Sequence, residues 1–201
     1  MWLLHALLLA AQSAPAPVGR YSHCAVVYGN HMIVYGGRGF QQQRTQVLTT
    51  LGDVWALNLF EMSWSLLVGA GDSSSSPPDL GHPGQRSSHA CVMLRDSEDG
   101  GEMLVFGGLS GGGDADQNMQ NDAWKLILKG RRWEHGLSAE WERVAVRGTA
   151  PRPRSDHSAI VVDNGVLVYG GCIGSSAFGD LWLLHETGAG TAEAPFSYEW
   201  L

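Results

Sequence analysis

Pro83-Gly84-Gln85-Arg86-Ser87-Ser88-His89 is the stretch on which the fold turns, because the chain writes it three times. Pro17-Val18-Gly19-Arg20-Tyr21-Ser22-His23 comes before it, and Pro151-Arg152-Pro153-Arg154-Ser155-Asp156-His157 after it. Each copy leads into an apolar run and then a second run ending in paired glycines: Val34-Tyr35-Gly36-Gly37, Val105-Phe106-Gly107-Gly108 and Val168-Tyr169-Gly170-Gly171. Each continues to an Asp-x-Trp run, at Asp53-Val54-Trp55, Asp122-Ala123-Trp124 and Asp180-Leu181-Trp182, and reaches a further Trp at Trp64, Trp141 and Trp200. Such recurrence marks a repeat architecture in which each copy is one supersecondary unit, stacked on its neighbours to bury a continuous core.

The runs themselves read as strands. Cys24-Ala25-Val26-Val27-Tyr28 and Met32-Ile33-Val34-Tyr35 are short and rich in β-branched and aromatic residues, and Gly29-Asn30 between them signals a hairpin. In the third copy Asp163-Asn164-Gly165 separates Ala159-Ile160-Val161-Val162 from Val166-Leu167-Val168-Tyr169, and its Asn-Gly suits a type I′ turn. The second copy uses a longer acidic turn, Asp96-Ser97-Glu98-Asp99-Gly100-Gly101. The inner runs are almost continuously apolar, which predicts strands covered on both faces. Paired glycines let the backbone turn sharply and approach a neighbour closely. The tryptophans supply apolar area between units, and each Arg and Asp could form a charge-assisted hydrogen bond.

The Arg-x-x-His motif, the Gly-Gly pair, the Asp-x-Trp run and the later Trp together resemble the kelch repeat, over roughly Pro17 to Leu201. The resemblance implies an all-β fold, a kelch-type β-propeller with three recognisable four-stranded blades and an incomplete ring. Its blades would span 17–82, 83–150 and 151–201, the last cut in its fourth strand, with 1–16 a leader or the remnant of a preceding blade. His23 to His89 is 66 residues and His89 to His157 is 68. Kelch repeats run to about 50, so long inter-strand loops are expected. Under this resemblance the architectural residues are Arg20, His23, Gly36, Gly37, Asp53 and Trp55 in the first copy. Arg86, His89, Gly107, Gly108, Asp122 and Trp124 match them in the second, and Arg154, His157, Gly170, Gly171, Asp180 and Trp182 in the third.

Both ends carry expectations. Met1-Trp2-Leu3-Leu4-His5 matches Leu181-Trp182-Leu183-Leu184-His185, as the third strand of a preceding blade would. A signal peptide is the rival reading, from the apolar Leu3–Ala11 core and Ala11-Gln12-Ser13, although no Lys or Arg precedes the core and His5 interrupts it. The apolar run is too short to span a membrane. Three blades fall short of the roughly four to eight of a closed propeller. The expectation is therefore a segment of a longer ring, with two chains completing one ring as the alternative.

A net charge of −7 argues against nucleic acid as a partner. Lys129-Gly130-Arg131-Arg132, the one basic cluster, reads as a solvated turn between the third and fourth strands of the second blade. The three cysteines do not suggest a disulfide scaffold: Cys24 and Cys91 read as buried thiols on inner strands, and Cys172 as the accessible one. Localisation is expected to be cytoplasmic, or secreted if residues 1–13 are a signal peptide.

Catalytic readings are weaker. Arg154-Ser155-Asp156-His157 contains a triad's letters, but a triad is a spatial arrangement, and residues consecutive on a strand alternate faces. His157 also has counterparts at His23 and His89, which marks it as architectural. Asp114-x-Asp116-x-Asn118 has the opening spacing of a calcium loop, but Met119 follows where Gly is needed and Lys125 stands at the bidentate Glu position. There is no Cys-x-x-Cys and no phosphate-binding loop. No cofactor and no metal are expected.

Loops carry function on a rigid scaffold. The connections Arg38–Gly52, Gly69–His82, Leu109–Asn121 and Arg147–Pro153 open on one face, and Gly71–Pro78 is low in complexity. In kelch proteins this face often holds a peptide segment, which implies a non-catalytic protein–protein interaction module, an adaptor or scaffold. The candidate contact residues are Arg38, Gln42, Arg44, Asp114, Asp116, Asn118 and Arg152. The alternatives are a galactose-oxidase-like copper enzyme, which would need Tyr21, Tyr28, Tyr35, Tyr169 or Tyr198 to converge with histidines, and an extracellular recognition module.

Overall fold

The computed structural model describes residues 15–40, 48–69, 81–111, 118–133, 136–188 and 197–201. Every regular element in them is a strand, and the chain is an all-β partial propeller. The first blade is a four-stranded antiparallel sheet of Cys24–Tyr28, His31–Tyr35, Val54–Asn58 and Ser63–Val68, in that order across the sheet. The second is built from Ala90–Asp96, Gly100–Ser110, Met119–Lys129 and Ser138–Arg143, and the third from Ser158–Val162, Gly165–Tyr169, Leu181–Thr187 and Ser197–Trp200. Val146–Arg147 adds a short parallel strand to the outer edge of the third. The first strands of neighbouring blades lie against one another, so the sheets fan out from an axis lined by them.

Side-chain alternation decides what each blade buries. On the first blade Ile33, Tyr35, Val54 and Ala56 face forward and pack with Met103 and Val105 of the second. On the second, Leu104, Phe106 and Ala123 face forward onto Val166, Val168 and Leu184 of the third. A strand's period of two sends alternate residues to opposite faces, so each inner strand serves two interfaces. Among the described residues the first and third blades each pack against one other blade, the second. Their innermost strands are therefore covered on one face only, against the expectation from their continuous apolar runs: Val27 and Ile160 are exposed.

The glycine pairs turn the chain through backbone conformations that side chains rarely adopt. Gly37, Gly108 and Gly171 lie at φ 97°, 90° and 88°. A Cβ on Gly108 would sit 2.6 Å from the Ser87 carbonyl oxygen. In the third blade's first hairpin the turn differs from the expected one. Asp163 and Asn164 form it, and Gly165 already belongs to the strand at φ 151°, so no type I′ Asn-Gly is present.

Cys24 and Cys91 are not buried free thiols. They form a disulfide between the innermost strands of the first two blades, with Cα atoms 5.9 Å apart, while Cys172 is free. Cys24 immediately follows its repeat histidine and Cys91 comes two after its own. The first therefore points forward and the second backward, and they meet across the interface. The bridge closes a separation of 67 residues, which in the chain-entropy picture stabilises by about 4 kcal/mol. One free thiol per chain is expected in the oxidised protein and three after reduction, with reduction lowering the urea midpoint. Three free thiols without reductant would contradict the pairing.

The basic cluster lies at an exposed turn and carries surface ion pairs. Lys129 pairs with Glu140 at 2.6 Å, Arg131 with Asp99 at 3.4 Å and Arg132 with Asp96 at 3.3 Å. The Arg132 carbonyl accepts a hydrogen bond from the Asn30 amide of the first blade.

Candidate partner-binding face

One polar unit recurs under the glycine-pair end of every blade. Arg20 Nη1 and Nη2 donate to the two Asp53 carboxylate oxygens at 2.7 and 2.9 Å, and Nη1 also donates to the Gly36 carbonyl. Arg86 repeats this with Asp122 and the Gly107 carbonyl, and Arg154 with Asp180 and the Gly170 carbonyl. In each blade the Trp two residues after the Asp donates its indole N–H to the same carboxylate, at 2.7 Å. Burial works to raise the Asp53 and Asp122 carboxyls, but the Arg and Trp donors outweigh it and hold both below the usual carboxylate range. The Arg154 hydrogen bonds do the same for Asp180. These bidentate pairs fix the mouth from which the loops spring.

Two of the three repeated histidines pack between blades, and His23 is exposed. His89 lies 4.9 Å from the Tyr35 ring and His157 lies 5.2 Å from Phe106. Burial, reinforced by the Arg86 charge, pushes His89 down to about 3; burial and then Arg154 push His157 down to about 4. Both are thus buried neutral, whereas an unfolded His takes up its proton near pH 6.5. As pH falls below that value the unfolded chain binds more protons than the folded one. Stability is then expected to drop by up to about 1.4 kcal/mol per pH unit per histidine down to the folded values. Chemical denaturation between pH 7.5 and 4.5 checks this, and a flat profile would refute it. The carboxylate contribution works in a lower window, being lost only as pH falls below the ordinary Asp range toward the depressed folded values.

No hydrogen bond joins Ser155 to His157. The Ser155 hydroxyl donates to Asp156 Oδ2 at 2.8 Å, which leaves the Ser-Asp-His string without triad geometry. Nor do the tyrosines converge: Tyr28 donates to the Gly130 carbonyl, Tyr35 to the Gly84 carbonyl and Tyr198 to Glu186, while Tyr21 and Tyr169 face solvent. Among the described residues, no group of three or more His, Cys, Asp or Glu side chains is placed to hold a metal. A shallow cleft of about 90 Å³ beside His31, Asn58 and Ser63 lies at the opposite, hairpin-turn end of the first blade.

On the loop face, Gln42, Arg44, Asp114, Asp116 and the Gly71–Pro78 segment lie outside the described residues, as do residues 1–14 with the leader or blade-remnant reading placed on them. Asn118 holds the neck of its loop, its carbonyl accepting from the Ser110 amide and the Gln120 side chain. Arg152 is exposed beside the third blade's mouth. Arg38 is not in an irregular loop. Arg38–Phe40 pairs with Arg20–Tyr21 on one side and Leu48–Thr50 on the other, so the connection rises as a three-stranded ribbon. Tyr21 stands opposite Arg38, and Phe40 is two residues on, so the three share one ribbon face. Both aromatics are about half exposed. Sequence reasoning passed over Tyr21 and Phe40. The available signal was that the other copies carry Ser87 and Ser155 where the first has Tyr21.

A family profile for the KLHDC2/KLHL20/DRC7 Kelch-repeats domain matches residues 73–194. The chain is 28% identical over 191 residues to human host cell factor 2, covering 92% of this chain and 20% of that protein. It is 28% identical over 171 residues to the Drosophila melanogaster leucine-zipper-like transcriptional regulator 1 homolog, covering 84% of this chain and 15% of that protein. Arabidopsis thaliana F-box/kelch-repeat protein At1g51550 matches at 28% over 174 residues, 84% of this chain and 31% of its own length. The chain thus spans less than a third of each of these relatives. Such relatives support a protein-interaction module. Among the described residues no helix is long and apolar enough to cross a membrane.

Proposed function

The chain belongs to the kelch-repeat family, and on that premise we propose that it is a non-catalytic adaptor or scaffold module holding a peptide segment of a partner on its loop face. The observation that carries this reading is the ribbon face of Tyr21, Arg38 and Phe40, raised on a frame locked by the Arg20–Asp53 pair. Exposed aromatics beside an Arg are the residue types that dominate binding energy at interfaces. Arg152, exposed beside the third blade, would extend the rim. The test is selection of binding peptides from a displayed library on the wild-type chain. Their affinities are then compared for Tyr21→Ala, Arg38→Ala and Phe40→Ala, which leave the blade cores untouched. A loss of about tenfold or more is expected for each aromatic change. Unchanged affinity in the triple variant, with an unchanged Tm, would move the site elsewhere.

The Cys24–Cys91 disulfide favours an oxidising compartment over the cytoplasm for this module, since such bonds persist mainly where thiols are not kept reduced. Thiol counting on protein isolated from its source cells under alkylating conditions tests that reading: an alkylated, unpaired Cys24 and Cys91 would return the module to a reducing compartment.

A further inference from the structure

The first two blades share a contact that the second and third do not. Cys24 and Cys91 join the innermost strands across the first interface. At the second interface the corresponding positions, one after His89 and two after His157, hold Ala90 and Ala159. Two backbone contacts recur at both. The Ser88 amide donates to the Ser22 carbonyl and the Asp156 amide to the Ser88 carbonyl, both at 2.9 Å. Gly37 N–H donates to the Arg86 carbonyl and Gly108 N–H to the Arg154 carbonyl, both at 2.8 Å. The second interface has an ion pair of its own, from Arg95 to Glu186. The same join is thus made twice, and the first time it includes a bond that thiols can break.

The bridge lies at the base of the ribbon formed by Arg20–Tyr21, Arg38–Phe40 and Leu48–Thr50. That ribbon stands on two feet, Gly37 before its second strand and Leu51 after its third, and the Leu51 amide donates to the Gly37 carbonyl at 2.8 Å. Both feet hold Arg86 of the second blade: Gly37 N–H reaches its carbonyl, and its amide donates to the Leu51 carbonyl at 2.9 Å. Arg86 leads along the chain to Cys91. The first ribbon strand leads through Ser22 and His23 to Cys24, which stands opposite Tyr35 in the ladder, just before the Gly36-Gly37 pair. The bridge therefore ties together the two segments between which the ribbon is slung. Neither cysteine is fully buried.

We propose that the Cys24–Cys91 bridge is a redox-sensitive clasp that sets the affinity of the ribbon face. The proposal rests on the peptide-binding reading of that face. The reductant is a small dithiol. One of its thiolates attacks a bridge sulfur to form a mixed disulfide, and its second sulfur then displaces the cysteine. The reductant leaves as a cyclic disulfide. Two electrons pass to the cysteine pair, and the two protons lost by the reductant end on the sulfurs of Cys24 and Cys91. With the clasp open, the feet are held to the second blade by non-covalent contacts alone, and the ribbon samples arrangements that do not fit the peptide. Apparent affinity then falls with the fraction of chains that keep the closed arrangement.

The probe is a peptide selected from a displayed library on the oxidised wild-type chain, and assigned to the ribbon by its loss of affinity for the Tyr21→Ala, Arg38→Ala, Phe40→Ala triple variant. Its Kd is measured before and after treatment with dithiothreitol, with thiol counting to verify that the bridge has opened. Reduction is expected to raise Kd about tenfold, as a closed fraction of about a tenth gives, and reoxidation to restore it. The Cys24→Ala, Cys91→Ala double variant should bind like the reduced wild type and ignore dithiothreitol, whereas Cys172→Ala should respond as the wild type does. Amide hydrogen exchange gives a second readout that needs no peptide. Reduction should speed exchange at Gly37, Leu51, Arg86 and Ser88, and leave Gly108, Arg154 and Asp156 as slow as before. An unchanged Kd with the bridge open, or loss of protection at both interfaces together, would overturn the proposal. Should no selected peptide respond to the triple variant, the peptide-binding reading fails by itself, and the exchange pattern still decides whether the clasp exists.

Discussion

Arg86→Ala is expected to cost about 3–5 kcal/mol of folding free energy, the range for breaking a buried ion pair from one side. The Arg86 side chain is fully buried, donates to both Asp122 oxygens, and also serves the Gly107 and Pro83 carbonyls. Removing it strands a carboxylate that is itself largely covered. Because a domain's whole stability is roughly 5–15 kcal/mol, urea denaturation should show a large fall in midpoint. Arg154→Ala should cost less, because Asp180 is 41% exposed and water can take over part of the guanidinium's role. A loss below about 1 kcal/mol for Arg86→Ala would mean that the pair contributes geometry and little stability.

Tyr35→Ala should be comparably severe, at about 3–5 kcal/mol, by analogy with other large-to-small aromatic core substitutions. The ring is wedged between His89 and Trp141 at the first interface, and its hydroxyl donates to the Gly84 carbonyl at 2.7 Å. Truncation therefore opens a cavity and leaves a carbonyl without its donor. The same letter in the third blade gives the contrast. Tyr169→Ala should change stability by less than about 0.5 kcal/mol, the range of surface substitutions. Equal effects at the two positions would contradict the assignment of forward faces.

Much of this frame was legible because its physics is local. Glycine pairs, short β-branched runs and the Asp-x-Trp motif each state a backbone preference or a donor–acceptor match within one blade. Three coincident copies then align the Arg with the Asp it meets. The relation between blades was harder to read. The disulfide escaped because Cys24 and Cys91 occupy different repeat positions, and nothing in their spacing says that one strand's forward face meets the next strand's backward face. The ribbon carrying Arg38 looked like a loop for a related reason: Arg38-Gly39-Phe40 becomes a strand only beside Arg20-Tyr21 and Leu48–Thr50, partners that are distant or unrepeated in sequence. Two of the three residues of the ribbon face, Tyr21 and Phe40, went unread for the same reason, although Tyr21 stands where the other copies carry Ser.

Sequence was enough to specify the all-β class, the three-fold recurrence and the identity of the Arg, Asp, Trp and Gly frame, because these depend on strand period, turn chemistry and pairing within one unit. Environment was settled only in three dimensions. Tyr35 and Tyr169 share a motif, yet one is sealed under a neighbour's His and Trp and the other faces water. Burial is a property of what lies across an interface, and a strand's residues state which face they take without stating whether anything covers it.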